Sequence, residues 1–100
     1  MHRGRVAVAN FARRILHTLN TPKNASKPGW EDMTAFDMII KLWEEYAELN
    51  KELEKLRRVN GFTTAGELMS IRNRIAEEAT DLGAVCMMIA DNVGGLKEDG

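Results

Sequence analysis

Apolar residues recur at intervals of three and four along most of this chain, and nowhere do apolar and polar positions alternate as a half-buried strand requires. A first helix is predicted near 5–19, where Val8, Phe11, Ala12, Ile15, Leu16 and Leu19 share helical spacing. Asn20, Thr21 and Pro22 stop it. The segment 20–33 is rich in Pro, Gly, Asn and Ser, and it is long for a loop within a compact domain. A second helix is predicted from Thr34, with Asp37 in its first turn, to about Val59, where Asn60 and Gly61 supply the stop. Ile39, Leu42, Tyr46, Leu49, Leu53 and Leu56 form a coiled-coil-like seam on it. A third helix opens on the capping pattern Thr64-Ala65-Gly66-Glu67, runs to Val93 and ends at Gly94-Gly95.

These lengths constrain the assembly. Helices of roughly 25 and 29 residues would measure about 37 and 43 Å, whereas a compact 100-residue domain has a radius of gyration near 13 Å. Either the third helix breaks near Met69–Ser70, or the helices extend beyond one subunit's core. The second option is favoured, and it implies a homodimer or homotetramer. The expectation is an all-α single domain over 1–100. It comprises a basic helix and loop (1–30), a helical pair (34–93) and a frayed tail (94–100).

Composition narrows the class further. With 44% hydrophobic and 29% charged residues among 100, the chain is neither collagen-like nor wholly disordered. No apolar run reaches the roughly 20 residues that span a bilayer, so no segment is expected to cross a membrane. Cys86 is the single cysteine, which excludes an internal disulfide and a thiolate zinc cluster. The net charge of −1 conceals an asymmetry. Residues 1–30 hold Arg3, Arg5, Arg13, Arg14, Lys23 and Lys27 with no acid, while the remainder is strongly acidic. A basic arm beside an acidic body suits nucleic acid, anionic lipid or a polyphosphate ligand. An acid-free, Arg-rich start also has the composition of a transit peptide, but it runs into a Trp-bearing loop without a break.

Two acidic clusters carry the chemistry. Glu44-Glu45-x-x-Glu48 lies on the second helix and Glu77-Glu78-x-x-Asp81 on the third. Residues three apart share a helix face, so each cluster can aim two carboxylates at one point. Two such helices side by side present the oxygen donors that a hard divalent cation accepts. For Glu44, Glu45 and Glu48 alone, a solvated face is the simpler alternative. Glu78 differs, because it falls within the apolar arc of Ile71, Ile75, Leu82, Val85, Ile89 and Val93. A carboxylate in that setting needs a counter-charge. Arg72, Arg74 or Lys41 could supply it; a metal is the sharper possibility. The pairing of two clusters favours the metal.

At these residues the chain resembles a known family. EEYAE at 44–48 followed by EATD at 78–81 is similar to the EExxE…ExxD signature of the MazG-like all-α nucleoside triphosphate pyrophosphohydrolases. KLWEEYAELNKEL and EEATDLGAVCMMIAD resemble the family's two motif helices, and the likeness covers about 35–95. The 29-residue spacer between Glu48 and Glu78 is at or past the long end of the family's range. A looser similarity, through N-x-x-K-x-x-x-K-x-G-W at 20–30, is to the phage-associated branch with MazZ-type dATP/dGTP diphosphohydrolases.

The resemblance implies a MazG-like helical bundle completed by oligomerisation, in the cytoplasm of a bacterial or phage-infected cell. It implies Mg²⁺, with Mn²⁺ as a substitute, held by Glu45, Glu48, Glu78 and Asp81. Glu44 would then be oriented to a metal-bound water or a second ion, making Glu44 and Glu45 the catalytic pair. A (d)NTP, with a purine dNTP among the candidates, would give (d)NMP and pyrophosphate. Lys23 and Lys27, with Arg13 or Arg14, would hold phosphates that the metal leaves uncovered. Trp30 would stack on a base or else staple its loop to the second helix, and packing is favoured. Asn20 would touch sugar or base or simply cap the first helix. Phosphoribosyl-ATP is the alternative substrate on the same fold. A helical interaction module with a nucleic-acid-binding arm is the alternative class, and nucleic acid is the less expected partner.

Overall fold

The computed structural model describes residues 2–20 and 29–96, and every described regular element is helical. Helix α1 spans His2–Leu19, a 3-10 turn covers Trp30–Asp32, α2 spans Ala35–Arg57 and α3 spans Ala65–Asn92. None of these helices is long and apolar enough to cross a membrane.

Local chemistry explains the boundaries. Thr34 caps α2 by accepting from the Asp37 N–H, and the Asp37 carboxylate accepts from the Thr34 N–H, a complete capping box. Thr64 caps α3 through the Glu67 N–H and also donates its hydroxyl to Glu67 Oε1. The end of α2 differs from expectation. Gly61 does not adopt positive φ; instead Asn60 folds the turn, its side-chain oxygen accepting from Phe62 N–H and its own N–H donating to Thr63 Oγ1. Gly94 does adopt φ +84°, and Gly94 and Gly95 donate to Asp91 and Ala90 carbonyls to close α3 in a Schellman motif. The expected tail at 94–100 therefore begins as an ordered turn, and residues 97–100 lie outside the described segments.

α3 is unbroken through Met69–Ser70 and 28 residues long. It is the central element, with α2 along one side and α1 on another, while α1 and α2 do not pack on each other. This open layer has a radius of gyration of 16.0 Å and extents of 54 × 35 × 24 Å, well beyond the roughly 13 Å of a closed domain. Gly83 sets the α1–α3 approach, because a Cβ there would stand 2.6 Å from Cε2 of the Phe11 ring.

α2 does not pack through its expected seam. Met38, Lys41, Glu45, Leu49, Glu52, Glu54 and Leu56 are shielded on it, and all but Glu54 form a row rotated by about 60° from the Ile39–Leu56 line at 100° per residue. Only Leu49 and Leu56 belong to both. Phe36, Ile39, Ile40, Trp43, Tyr46 and Leu53 stay exposed, Phe36 at 69% and Trp43 at 65%. On α3, the apolar stretch 82–90 is fully covered only at Ala84 and Val85, and Cys86 is exposed.

Candidate metal centre

The row that α2 turns toward α3 carries Glu45 into contact range of the acids on α3. One carboxylate oxygen each from Glu45, Glu78 and Asp81 lie within 4.8 Å of one another, and all three residues are half-buried. Octahedral Mg²⁺ with oxygens at about 2.1 Å places its ligands about 3–4.2 Å apart, so small side-chain adjustments bring this set to coordination distance. The donors are all hard oxygens, which fits Mg²⁺ or Mn²⁺ rather than a thiophilic metal.

Electrostatics at Glu78 reflects the same crowding of acids. Its side chain is only 12% exposed, and its carboxyl is held above the usual carboxylate range. Burial is the largest cause, followed by the charges of Asp81, Glu48 and Glu45, with Arg74 opposing them. Arg74 is the ion-pair partner anticipated among Arg72, Arg74 and Lys41, but it approaches Glu78 Oε1 only to 3.9 Å and is itself half-exposed. A pair of that geometry is worth about 0–1 kcal/mol. By contrast, two carboxylates about 5 Å apart repel by on the order of 3 kcal/mol at an effective dielectric constant near 20. Arg74 offsets the crowding only in part.

The remaining anticipated residues distribute as follows. Glu48 is exposed and outside the set of three, although its charge reaches Glu78. Glu44 is exposed and also outside it. Asn20 is exposed, and its N–H donates to Leu16 and His17 carbonyls at the end of α1. Lys23 and Lys27 lie outside the described residues. Trp30 anchors its loop to the last turn of α3 rather than to α2. Its indole N–H donates to Asp91 Oδ2 at 2.7 Å, and the Asn92 amide donates to the carbonyls of Trp30, Glu31 and Met33. Asp91 lies ten residues beyond Asp81, about 15 Å along the helix axis.

Three features were not anticipated. Glu52, one turn beyond Glu48, is 3% exposed and paired with Lys55 at 2.9 Å. The Lys55 hydrogen bond is the main reason its carboxyl is held below the usual range, with Lys55, Arg74 and Lys51 charges adding to it against burial. Its place on the Lys41–Glu45 row is a sequence signal that an apolar-only periodicity passes over. The second feature is a polar cleft of about 400 Å³ between α1 and α3, which gathers Arg13 and Arg14, already candidates for phosphate, with His17, Thr18, Glu77 and Thr80. The third is an apolar groove of about 360 Å³ between α2 and α3, lined by Leu42, Trp43, Tyr46, Leu82 and Cys86.

Compared with protein-family models, curated proteins and solved structures, the chain matches none.

Proposed function

We propose that this protein is a divalent-metal-dependent nucleoside triphosphate pyrophosphohydrolase, converting a (d)NTP and water to a (d)NMP and pyrophosphate. The observation that carries the reading is the meeting of Glu45, Glu78 and Asp81 from two helices within 4.8 Å, in the order of the EExxE…ExxD pattern. Glu45, Glu78 and Asp81 would hold Mg²⁺ or Mn²⁺, with exposed Glu48 closing on the ion from one turn away. When bound, such a cation neutralises phosphate oxygens, lowers the pKa of water and fixes the line of attack. Glu44, exposed beside Glu45, is free of the crowd and available to orient the attacking water. Without the cation, this acidic wall would repel a polyanion.

The same reading includes a homo-oligomer. Phe36, Ile39, Ile40, Trp43, Tyr46 and Leu53 form a continuous exposed apolar face on α2. A patch of that kind marks an association surface, and a second copy would close the open helical layer into a bundle.

The test is a panel of the eight common NTPs and dNTPs plus phosphoribosyl-ATP, with Mg²⁺ and with Mn²⁺, scoring pyrophosphate against orthophosphate. The expected result is metal-dependent release of pyrophosphate and monophosphate, with a purine dNTP as the first substrate to examine. Orthophosphate release, or no turnover of any substrate with either ion, would overturn the assignment.

A further inference from the structure

The cleft between α1 and α3 has no part in the acidic centre, yet it stands at the same level of α3. Glu77 and Thr80 in its wall are the chain neighbours of Glu78 and Asp81, displaced from them by about 100° around the helix axis. Its other wall is basic. Arg13 and Arg14 are adjacent, and His17 lies about one turn on, along a helix that carries no acidic residue. Two guanidiniums face one carboxylate, so the cleft keeps a net positive charge even with His17 neutral.

The arginines are held in place. Arg14 Nε donates to Thr80 Oγ1 at 3.1 Å, and Thr80 is 2% exposed, its own hydroxyl proton committed to the Ala76 carbonyl at 2.7 Å. Arg13 donates to Asn10 Oδ1 at 2.8 Å. Using Nε on Thr80 leaves the two terminal nitrogens of Arg14 as donors. A guanidinium oriented in this way matches the bidentate geometry of phosphate oxygens, and its ordering is already met in the free protein.

We propose that this cleft is a polyphosphate subsite, in which Arg13, Arg14 and His17 take the end of a nucleotide's phosphate chain remote from the acidic centre. The identity of the ligand as a nucleotide rests on the pyrophosphohydrolase reading; the anion site itself does not. Adjacent faces of one α3 turn then divide the substrate's charge. Carboxylates and their cation hold one part, and guanidiniums hold the other.

The probe is inorganic tripolyphosphate, titrated calorimetrically in the presence of chelator, so that the acidic centre cannot contribute through a metal. Wild type is expected to bind it. The double variant Arg13→Gln/Arg14→Gln is expected to bind at least tenfold more weakly, while Mg²⁺ still raises its melting temperature as in wild type. Glu77→Gln removes the opposing charge from an exposed position and is expected to tighten binding severalfold, a gain that misfolding cannot imitate. Unchanged affinity in the double variant, together with unchanged or weaker affinity in Glu77→Gln, would overturn the subsite. Binding of a DNA oligonucleotide but not of tripolyphosphate would overturn it too. If tripolyphosphate binds through the arginines while no NTP is hydrolysed, the subsite stands and the enzymatic reading falls.

Discussion

The indole N–H of Trp30 donates to the Asp91 carboxylate at 2.7 Å, fastening the end of the long 20–33 segment to the last turn of α3. That bond uses the polar edge of the ring for structure. A hydrogen bond to a charged acceptor contributes about 1.5–3 kcal/mol, and the half-buried ring adds packing. Trp30→Ala is therefore expected to lower stability by about 2–3 kcal/mol while leaving KM for the nucleotide unchanged. Thermal melts and steady-state kinetics on one preparation check this. A raised KM at constant melting temperature would instead give Trp30 to the substrate.

Gly83 and Phe11 make a second measurable pair. The Phe11 ring occupies the space in which a Cβ at position 83 would sit. Gly83→Ala should cost about 1–3 kcal/mol through overpacking, despite alanine's better helix propensity. Phe11→Ala in the same chain should relieve most of the clash, giving a non-additive cycle in urea melts. Additive losses would mean that α1 does not dock on α3 in this way.

The exposed face of α2 predicts association. Light scattering at micromolar concentration is expected to give a dimer or larger. Trp43→Glu, on the exposed face and away from the acidic row, is expected to shift the population toward monomer. A stable, folded wild-type monomer would contradict this.

Glu52 carries a pH signature. Its carboxyl is held below the reference value of 4.5, chiefly by the Lys55 hydrogen bond. A depressed folded value means that the unfolded chain binds the proton first as pH falls. The Glu52 contribution is thus fully present above about pH 5 and fades as pH drops through the lower folded value. Glu52→Gln should be less stable than wild type at pH 7, with the difference closing in urea melts as the pH falls below the reference value. A difference independent of pH would rule out the charge as its source.

Helix number, order and caps were legible in the sequence because they depend on local chemistry: Thr34 with Asp37, Thr64 with Glu67, and Gly94 past the end of α3. The packing face of α2 was not. Periodicity counts apolar residues, and it chose Ile39, Tyr46 and Leu53, whereas the side turned to α3 carries Lys41, Glu45 and Glu52. The apolar line was legible as a seam, but of it only Leu49 and Leu56 are shielded. Spacing and order allowed acids of the two helices to meet, and the family resemblance singled out Glu45, Glu48, Glu78 and Asp81. Glu45, Glu78 and Asp81 do converge, while Glu48, on the same predicted face as Glu45, stays exposed outside the set. The basic cleft was hidden for a different reason. Arg13 and Arg14 meet Glu77 and Thr80 across more than sixty residues, and only the α1–α3 docking brings them together.

If the charge crowded at Glu78 belongs to a cation site, thermal melts of wild type and Glu78→Gln, each in chelator and in Mg²⁺, will reveal it. Glutamine keeps the shape and removes one of the repelling charges, at the loss of only the 3.9 Å contact with half-exposed Arg74. In chelator, the variant should melt at or above wild type. Mg²⁺ near a hundred times its Kd should raise the wild-type melting temperature by about 10 °C, and it should move the variant far less. A variant that melts well below wild type in chelator, with Mg²⁺ moving neither curve, would show Glu78 to be a structural ion-pair partner and contradict the metal site.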